Sequence, residues 1–136
     1  LVIVRQFEKD TQPSNNLYDS LQHIARTNFL RLKSNQNIWD IFTHDINQRI
    51  RKDSQVFKCK KRYETLLVKL IKKAQKNNEL IKDVRPITIL YMFFGPIEYI
   101  AIKYRMYGED FDIDETVNDI VNTIFRAYSK KKDFIK

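Results

Sequence analysis

The sequence predicts an all-α protein, a helical bundle of about six helices in a single domain. Three observations lead to this prediction. The 136 residues include only 2 Gly and 3 Pro, where average usage would give about 10 and about 7, and so few helix breakers favour long helices. Apolar residues recur at three- and four-residue spacing along most of the chain. A composition of 43% hydrophobic and 31% charged residues is typical of a globular domain.

The first three helices are predicted from apolar spacing and from the polar breaks between them. Leu1 to Asp10 is interpreted as the tail of a helix that begins upstream, and the polar stretch Thr11 to Asn16 follows it. Leu17 to Lys33 carries one apolar face and has Asn16 as its expected N-cap. Ile38 to Arg51 repeats the helical spacing between two further polar breaks.

The fourth helix has an apolar stripe from Val56 to Ala74 and a strongly basic opposite face. The cations of that face are Lys58, Lys60, Lys61, Arg62, Lys69, Lys72, Lys73 and Lys76. This arrangement is typical of a helix that packs on one side and meets solvent on the other.

The fifth helix, roughly Pro86 to Tyr107, is apolar on nearly every side. Such a helix has to be covered on every side, and one domain of this size covers one face, so a second surface is expected to cover the rest. We expect the pair Gly95-Pro96 to kink it and Gly108 to end it. The sixth helix then runs from about Asp114 to Tyr128.

Several short motifs follow one another in order along the second half of the chain. They are Leu70 to Leu80 with the polar turn Asn78-Glu79-Leu80-Ile81, the helix start Asp83-Val84-Arg85-Pro86, Phe94-Gly95-Pro96-Ile97-Glu98-Tyr99, Tyr107-Gly108, and Ile113 to Tyr128. In this order they are similar to the seventh, eighth and ninth helices of TetR-family (tetracycline-repressor-like) transcriptional regulators. The resemblance covers essentially the whole chain, with Leu1 to Asp10 as the end of the linker helix.

The resemblance implies that residues 1–136 are the C-terminal effector-binding and dimerisation domain of such a regulator. Nothing in the sequence resembles the helix-turn-helix domain that defines the family, so operator DNA is expected to bind only through a domain outside this chain. The expected partners are a second copy of the chain and a small-molecule effector of unknown identity, with no membrane. The expected location is the cytoplasm, which the single cysteine also suits.

In the family, the last two helices pair with those of a second copy in a four-helix dimer bundle. The residues expected at this interface are Phe93, Ile97, Ile100, Tyr104, Val117, Ile120 and Ile124. A large apolar surface of this kind would suit an obligate homodimer. The alternative is a monomer that buries the fifth helix at its centre.

An effector pocket is expected among the middle helices, because such pockets are mostly apolar and have a few placed polar groups. The candidate lining residues are Phe29, Trp39, Phe42, His44, Tyr63, Leu67, Tyr91, Phe94 and Glu98. The alternative is that these side chains are ordinary core. Glu98 would need a partner if buried, which Arg105, Tyr63 or a cationic ligand would provide, or it is a structural residue at a rim or interface.

No catalytic, metal or cofactor site is predicted, and the chain is not expected to be an enzyme. His23, His44 and Cys59 share no metal-ligand spacing, and no nucleophile–base arrangement is visible. Cys59 lies among cations that would lower a thiol pKa, so it is either redox-sensitive or, as lone helical cysteines usually are, inert. The longest apolar run, Ile87 to Phe94, is far shorter than the ~20 residues of a membrane span.

Two other functions fit the sequence. The basic fourth helix is compatible with a stand-alone nucleic-acid-binding domain, since clustered Lys and Arg neutralise phosphates. A helical adaptor for another protein is the third possibility, and it would need neither a cavity nor a symmetric dimer.

Overall fold

A computed structural model describes residues 16–34 and 55–130 of the protein. These ranges contain four helices, namely α1 (Leu17–Lys33), α2 (Gln55–Lys76), α3 (Pro86–Tyr107) and α4 (Ile113–Tyr128). The predicted all-α class is confirmed for this part of the chain, where the extended contact is an isolated antiparallel bridge between Leu80 and Ser129. The predicted count of about six helices is not supported. The other two segments, Leu1 to Asp10 and Ile38 to Arg51, lie outside the described residues.

The ends of the helices are set by local backbone chemistry. The side chain of Asn16 accepts a hydrogen bond of 2.8 Å from a backbone N–H in the first turn of α1, which confirms the predicted cap. α4 begins slightly earlier than predicted because Asp112 caps it, accepting 2.8 Å from the N–H of Glu115. Gly108 ends α3 in the left-handed conformation, with φ of 67°.

α3 continues through Gly95 and Pro96 to Tyr107. Proline has no N–H, so Pro96 cannot donate to the carbonyl of Met92, one turn earlier. The flanking turns keep the segment helical, and the bend expected at this point stays a prediction.

The core is formed by one face of each helix. α1 lies along α4, and α3 packs against α1, α2 and α4. The largest fully buried side chains are Phe29, Phe93, Leu21, Ile24, Leu32, Leu67, Ile71, Leu80, Ile89, Leu90 and Ile97. Burying each such side chain contributes about 1.5–3 kcal/mol, so this shared core, rather than helix propensity, stabilises the arrangement.

Polar side chains fix the register between α1 and α4 along one edge of their contact. Three pairs recur every four residues, and they run in opposite directions on the two helices. The pairs are Tyr18 with Asn122 at 2.6 Å, Gln22 with Asn118 at 3.0 Å, and Arg26 with Asp114 at 2.9 Å. A shift of one helix along the other would break all of them, so the pairs specify an antiparallel contact with a single register.

The segment between α2 and α3 is held against the end of α4. Leu80 is fully buried in the core, and the N–H of Ile81 donates 2.8 Å to the carbonyl of Tyr128. The N–H of Lys130 in turn donates 3.2 Å to the carbonyl of Glu79. These contacts join the last turn of α4 to the connection that leads into α3.

Candidate effector site and dimer face

One face of α3 exposes large apolar side chains to solvent. These are Tyr91, Met92, Tyr99, Ile102, Met106 and Tyr107, which are between 42% and 70% exposed. We call this set the open face. The opposite side of α3 is buried, at Ile89, Leu90, Phe93, Ile97 and Ala101. α3 is therefore apolar all round, as predicted, and the described residues cover about one side of it.

The open face is a large apolar patch for a single chain. Three of its side chains are tyrosines that are 60–68% exposed, and covering these alone would remove roughly 300–500 Å² from water, because a fully covered aromatic side chain buries about 150–250 Å². Met92, Ile102 and Met106 add to this area, which brings it towards the roughly 800 Å² that each partner contributes to a standard protein interface, whereas the largest patch on a typical monomer is about 300–600 Å².

Lys103 lies at the edge of the open face and is held in place there. Its Nζ is 3.1 Å from Oε1 of Glu109, and this hydrogen bond and ion pair raise the pKa of Lys103. The same ammonium lies 5.3 Å from the ring centroid of Tyr107 and 6.0 Å from that of Tyr99. The open face therefore has a charged edge beside its aromatic side chains.

The residues predicted at the dimer interface lie mostly inside the single chain. Five are buried in the core, namely Phe93, Ile97, Val117, Ile120 and Ile124. Ile100 and Tyr104 are partly buried and pack against that core. The prediction that these side chains meet a partner remains untested. The open face lies on the other side of α3. The sequence did not predict this, because the sequence of a helix that is apolar all round does not reveal which side faces its own core.

Six of the nine predicted effector-site residues do not belong to a surface that the structure describes. Two of them are buried in the core, and the side chains of the other four lie outside the described part of the chain. Phe29 and Leu67 are fully buried, and the ring of Phe29 packs edge-on against Phe111 at 4.8 Å between centroids. Tyr63 belongs to α2 by its backbone, and its side chain is outside the description. The residues outside the described ranges altogether are Trp39, Phe42 and His44.

The other three predicted effector-site residues share one flank of α3. Tyr91, Phe94 and Glu98 are spaced by three and four residues, which places them on the same side of a helix. Phe94 and Glu98 are partly buried, whereas Tyr91 is exposed. The ring of Phe94 packs edge-on against Phe93 at 5.0 Å. This flank combines aromatic surface with one carboxylate, and its role as a pocket wall stays a prediction.

An open depression of about 640 Å³ lies at the α3–α4 connection, and none of the predicted site residues lines it. It is lined by Lys33, Asp110, Phe111, Asp112, Ile113 and Asp114. The alternating aspartates after Gly108 are the sequence signal for this feature, although each has a structural partner. Asp112 caps α4, Asp114 pairs with Arg26, and Asp110 pairs with Lys33.

Lys33 holds the α3–α4 connection to the end of α1. Its Nζ donates 2.8 Å to Oδ1 of Asp110 and also donates to the backbone carbonyl of Phe111. The same group lies 4.4 Å from the ring centroid of Phe111. The hydrogen bond from Lys33, together with that from the backbone of Phe111, lowers the pKa of Asp110.

The basic face of α2 is exposed over its described length. We define the basic ridge as Lys61, Arg62, Lys69, Lys72, Lys73 and Lys76, all of them exposed. Leu67, Ile71 and Ala74 are buried on the opposite side, which confirms the predicted two-faced helix for this stretch. Lys58, Lys60 and Cys59 belong to α2 by their backbone only, so the two interpretations of Cys59 stay open.

The described ranges bear on a possible metal site and on a possible membrane span. Among residues 16–34 and 55–130 there is no group of three or more His, Cys, Asp or Glu side chains arranged to hold a metal ion. α3 is the one helix there whose length and composition would let it cross a membrane, and 28% of its most apolar stretch is buried. The prediction of no membrane partner was based on the uninterrupted apolar run from Ile87 to Phe94, which is shorter than α3. The core helix of a soluble protein can have the same length and apolar composition as α3.

A comparison with protein families decides what kind of domain these helices form. The TetR_C_4 family model, described as "YsiA-like protein, C-terminal region", matches residues 2–127. The chain belongs to this TetR C-terminal family. The match spans the four helices except for the last residue of α4, and it confirms the family resemblance of the helix order. No curated protein and no solved structure matches the chain.

Proposed function

We propose that this TetR C-terminal domain is the regulatory part of a cytoplasmic transcriptional regulator. It forms a homodimer, binds a small-molecule effector, and controls operator binding by a helix-turn-helix domain outside this chain. The family match over residues 2–127 supports the regulatory role. The open face of α3 is the observation that favours a dimer, because a large contiguous apolar patch on a protein surface is typical of a protein–protein interaction site.

Dimerisation is tested by sedimentation equilibrium of the 136-residue chain at micromolar concentration. The expected mass is twice the 16.4 kDa of one chain. The double variant Tyr99→Gln, Ile102→Gln changes two exposed side chains of the open face, so the fold of one chain should persist while the dimer weakens by roughly tenfold or more. Leu30→Gln is the matched control, since Leu30 is similarly exposed on α1. A wild-type chain that sediments at 16.4 kDa throughout contradicts the dimer.

We place the effector against the flank of α3 that contains Tyr91, Phe94 and Glu98. Aromatic surface with one carboxylate suits a mostly apolar ligand with a polar or cationic group. Trp39, Phe42, His44 and Tyr63 are proposed to complete the pocket. An effector that favours one arrangement of the dimer by ~1–3 kcal/mol is sufficient to change DNA binding, because binding and conformation are linked.

The pocket is tested with the neutral, apolar fluorophore N-phenyl-1-naphthylamine. We expect saturable binding of one probe per chain, with quenching of the single tryptophan, Trp39. Phe94→Ala should weaken this binding, whereas Met92→Ala, two residues away on the open face, should not. Equal weakening by both variants would place the probe on the open face and contradict the proposed pocket.

The basic ridge supports a second candidate, direct contact with nucleic acid. Lys69, Lys72, Lys73 and Lys76 form a line about 10 Å long on α2, with no acidic residue between them. A gel shift with duplex DNA should then show an affinity that falls steeply with salt concentration. Neutralising these four lysines should lower the slope of log affinity against log salt concentration, because several fewer ions are released on binding. Binding that is absent, or unchanged in the neutralised variant, rejects this candidate.

A further inference from the structure

We propose that two copies of α3 cross backbone to backbone at Gly95, which lies on the twofold axis of the dimer. This inference rests on the proposed dimer and adds the residue at which the two chains meet. In an isologous interface, a residue on the axis contacts its own copy. The proposal therefore predicts contact between Gly95 and the Gly95 of a second chain.

Gly95 occupies the middle of the open face. Met92, Gly95, Tyr99, Ile102 and Met106 follow one another at steps of three, four, three and four residues. That spacing is the apolar seam along which two helices pack against each other. Gly95 is also close to the midpoint of α3, which runs from Pro86 to Tyr107. A close approach there allows both halves of the face to contact a partner.

Tertiary packing within the described part of the chain gives no reason for a glycine at this position. Apart from its chain neighbours and its own helical backbone, a Cβ placed on Gly95 would have nothing within 4 Å, and Gly108 is the only glycine with positive φ. Inside a helix, glycine is less favourable than every other residue except proline. A second backbone that approaches from outside would explain the missing side chain.

Pro96 provides a competing explanation that has to be separated from this one. Proline disfavours helical conformation in the preceding residue, partly through a clash with that residue's Cβ, which glycine lacks. Gly95 would then serve its neighbour rather than a partner chain. The two explanations make different predictions once Pro96 is replaced.

A close crossing also accounts for the residues around Gly95. Helices usually pack with their axes about 8–10 Å apart, and small residues at the contact bring the two backbones towards the lower end of that range. Met92 and Tyr99 lie about one turn before and one turn after Gly95, and both are exposed. With the backbones close, these side chains can reach across and pack against the partner.

The first test measures dimer affinity and thermal unfolding for Gly95→Ala and Gly95→Leu. We expect both variants to keep the fold of the single chain, which thermal unfolding in dilute solution checks. We expect the dimer to weaken by roughly tenfold for alanine and further for leucine, because the added atoms separate the helices. Thr65→Ala and Thr65→Leu are matched controls at an exposed position of α2 and should leave dimer affinity unchanged.

The same series in the background Pro96→Ala separates the two explanations. If Gly95 contacts a partner, Gly95→Ala still weakens the dimer when proline is absent. If the effect disappears in that background, Gly95 serves the proline and the inference is overturned. A wild-type dimer that tolerates Gly95→Leu at full affinity overturns the inference alone, whereas a wild-type monomer overturns the proposed dimer as well.

The second test is a disulfide across the proposed axis. Two cysteines can be bridged when their Cα atoms lie about 4.4–6.8 Å apart, which a backbone crossing provides. Gly95→Cys should give a covalent dimer on mild oxidation, and peptide mapping should join the two introduced cysteines rather than Cys59. Thr65→Cys is the control and should not link. If the Gly95→Cys chains do not link, the crossing is rejected. It is also rejected if the wild-type chain stays monomeric and sediments with phosphatidylcholine vesicles.

Discussion

The side-chain amide of Gln75 donates a hydrogen bond of 2.7 Å to the backbone carbonyl of Val84. The same Nε2 group donates 3.0 Å to the carbonyl of Ile81, and Gln75 is only 8% exposed. One side chain at the end of α2 therefore satisfies two carbonyls in the connection that leads to α3. These two hydrogen bonds hold the connection against the end of α2 and so help to fix the position of α3 relative to α2.

Gln75→Leu should destabilise the fold because it leaves two partly buried carbonyls without their donor. We expect a loss of about 1–3 kcal/mol in the free energy of unfolding, measured by urea denaturation of the monomer. Lys76→Leu, at the exposed neighbouring position, should change it by less than about 0.5 kcal/mol. Equal effects of the two variants would show that Gln75 does not anchor the connection.

The contact between Tyr18 and Asn122 joins residues that are 104 positions apart. Tyr18→Phe removes the hydroxyl and keeps the ring, which packs edge-on against Phe125 at 5.2 Å. We expect a loss of about 0.5–1.5 kcal/mol and a measurable coupling with Asn122→Ala in a double-mutant cycle. Tyr107→Phe, at a highly exposed tyrosine, is the control. Strictly additive effects of Tyr18→Phe and Asn122→Ala would contradict a direct contact.

Phe29 and Leu30 test the burial of α1, because the two neighbours have opposite environments. Phe29 is fully buried and Leu30 is 54% exposed. Phe29→Ala should cost about 3–5 kcal/mol through lost burial and a cavity, whereas Leu30→Ala should change stability by about 0.5 kcal/mol or less. Thermal or urea unfolding of both variants decides this. A larger effect at Leu30 would show that α1 is rotated relative to the structure.

The pairing of Lys33 with Asp110 should be visible in the pH dependence of the fold. Folding lowers the pKa of Asp110, chiefly through the hydrogen bond from Lys33. The carboxylate therefore stabilises the fold at pH values above its unfolded pKa, and this contribution is lost as the pH falls through its folded pKa. Carboxyl NMR titration should show the lowered pKa, and Lys33→Gln should raise it towards its ordinary value. An identical titration in both proteins would contradict the pairing.

The local structure could be predicted well from the sequence. The cap at Asn16, the stop at Gly108 and the bounds of α1 and α3 depend on interactions between near neighbours, so the residues themselves reveal them. The order of the helices, the polar turn at Asn78 and the Gly95-Pro96 pair also indicated the family, which the match over residues 2–127 confirms.

The candidate sites could be predicted only in part, because they depend on contacts between distant segments. The pairing of Lys33 with Asp110 joins positions 77 residues apart, and no local pattern identifies that partner. Tyr91, Phe94 and Glu98 share a flank by helical spacing alone, whereas the burial of Phe29 and Leu67 depends on the helices packed over them.

By itself the sequence determined that the described part of the chain is helical, where its helices end, and that α3 is apolar on nearly every side. Tertiary structure alone decided which side of α3 is covered, placing Phe93 and Ile97 in the core and leaving Met92 and Tyr99 in solvent. The physical reason is that hydrophobic burial has no direction of its own. On a helix that is apolar all round, only packing against α1, α2 and α4 distinguishes the side that stabilises the chain from the side left in solvent.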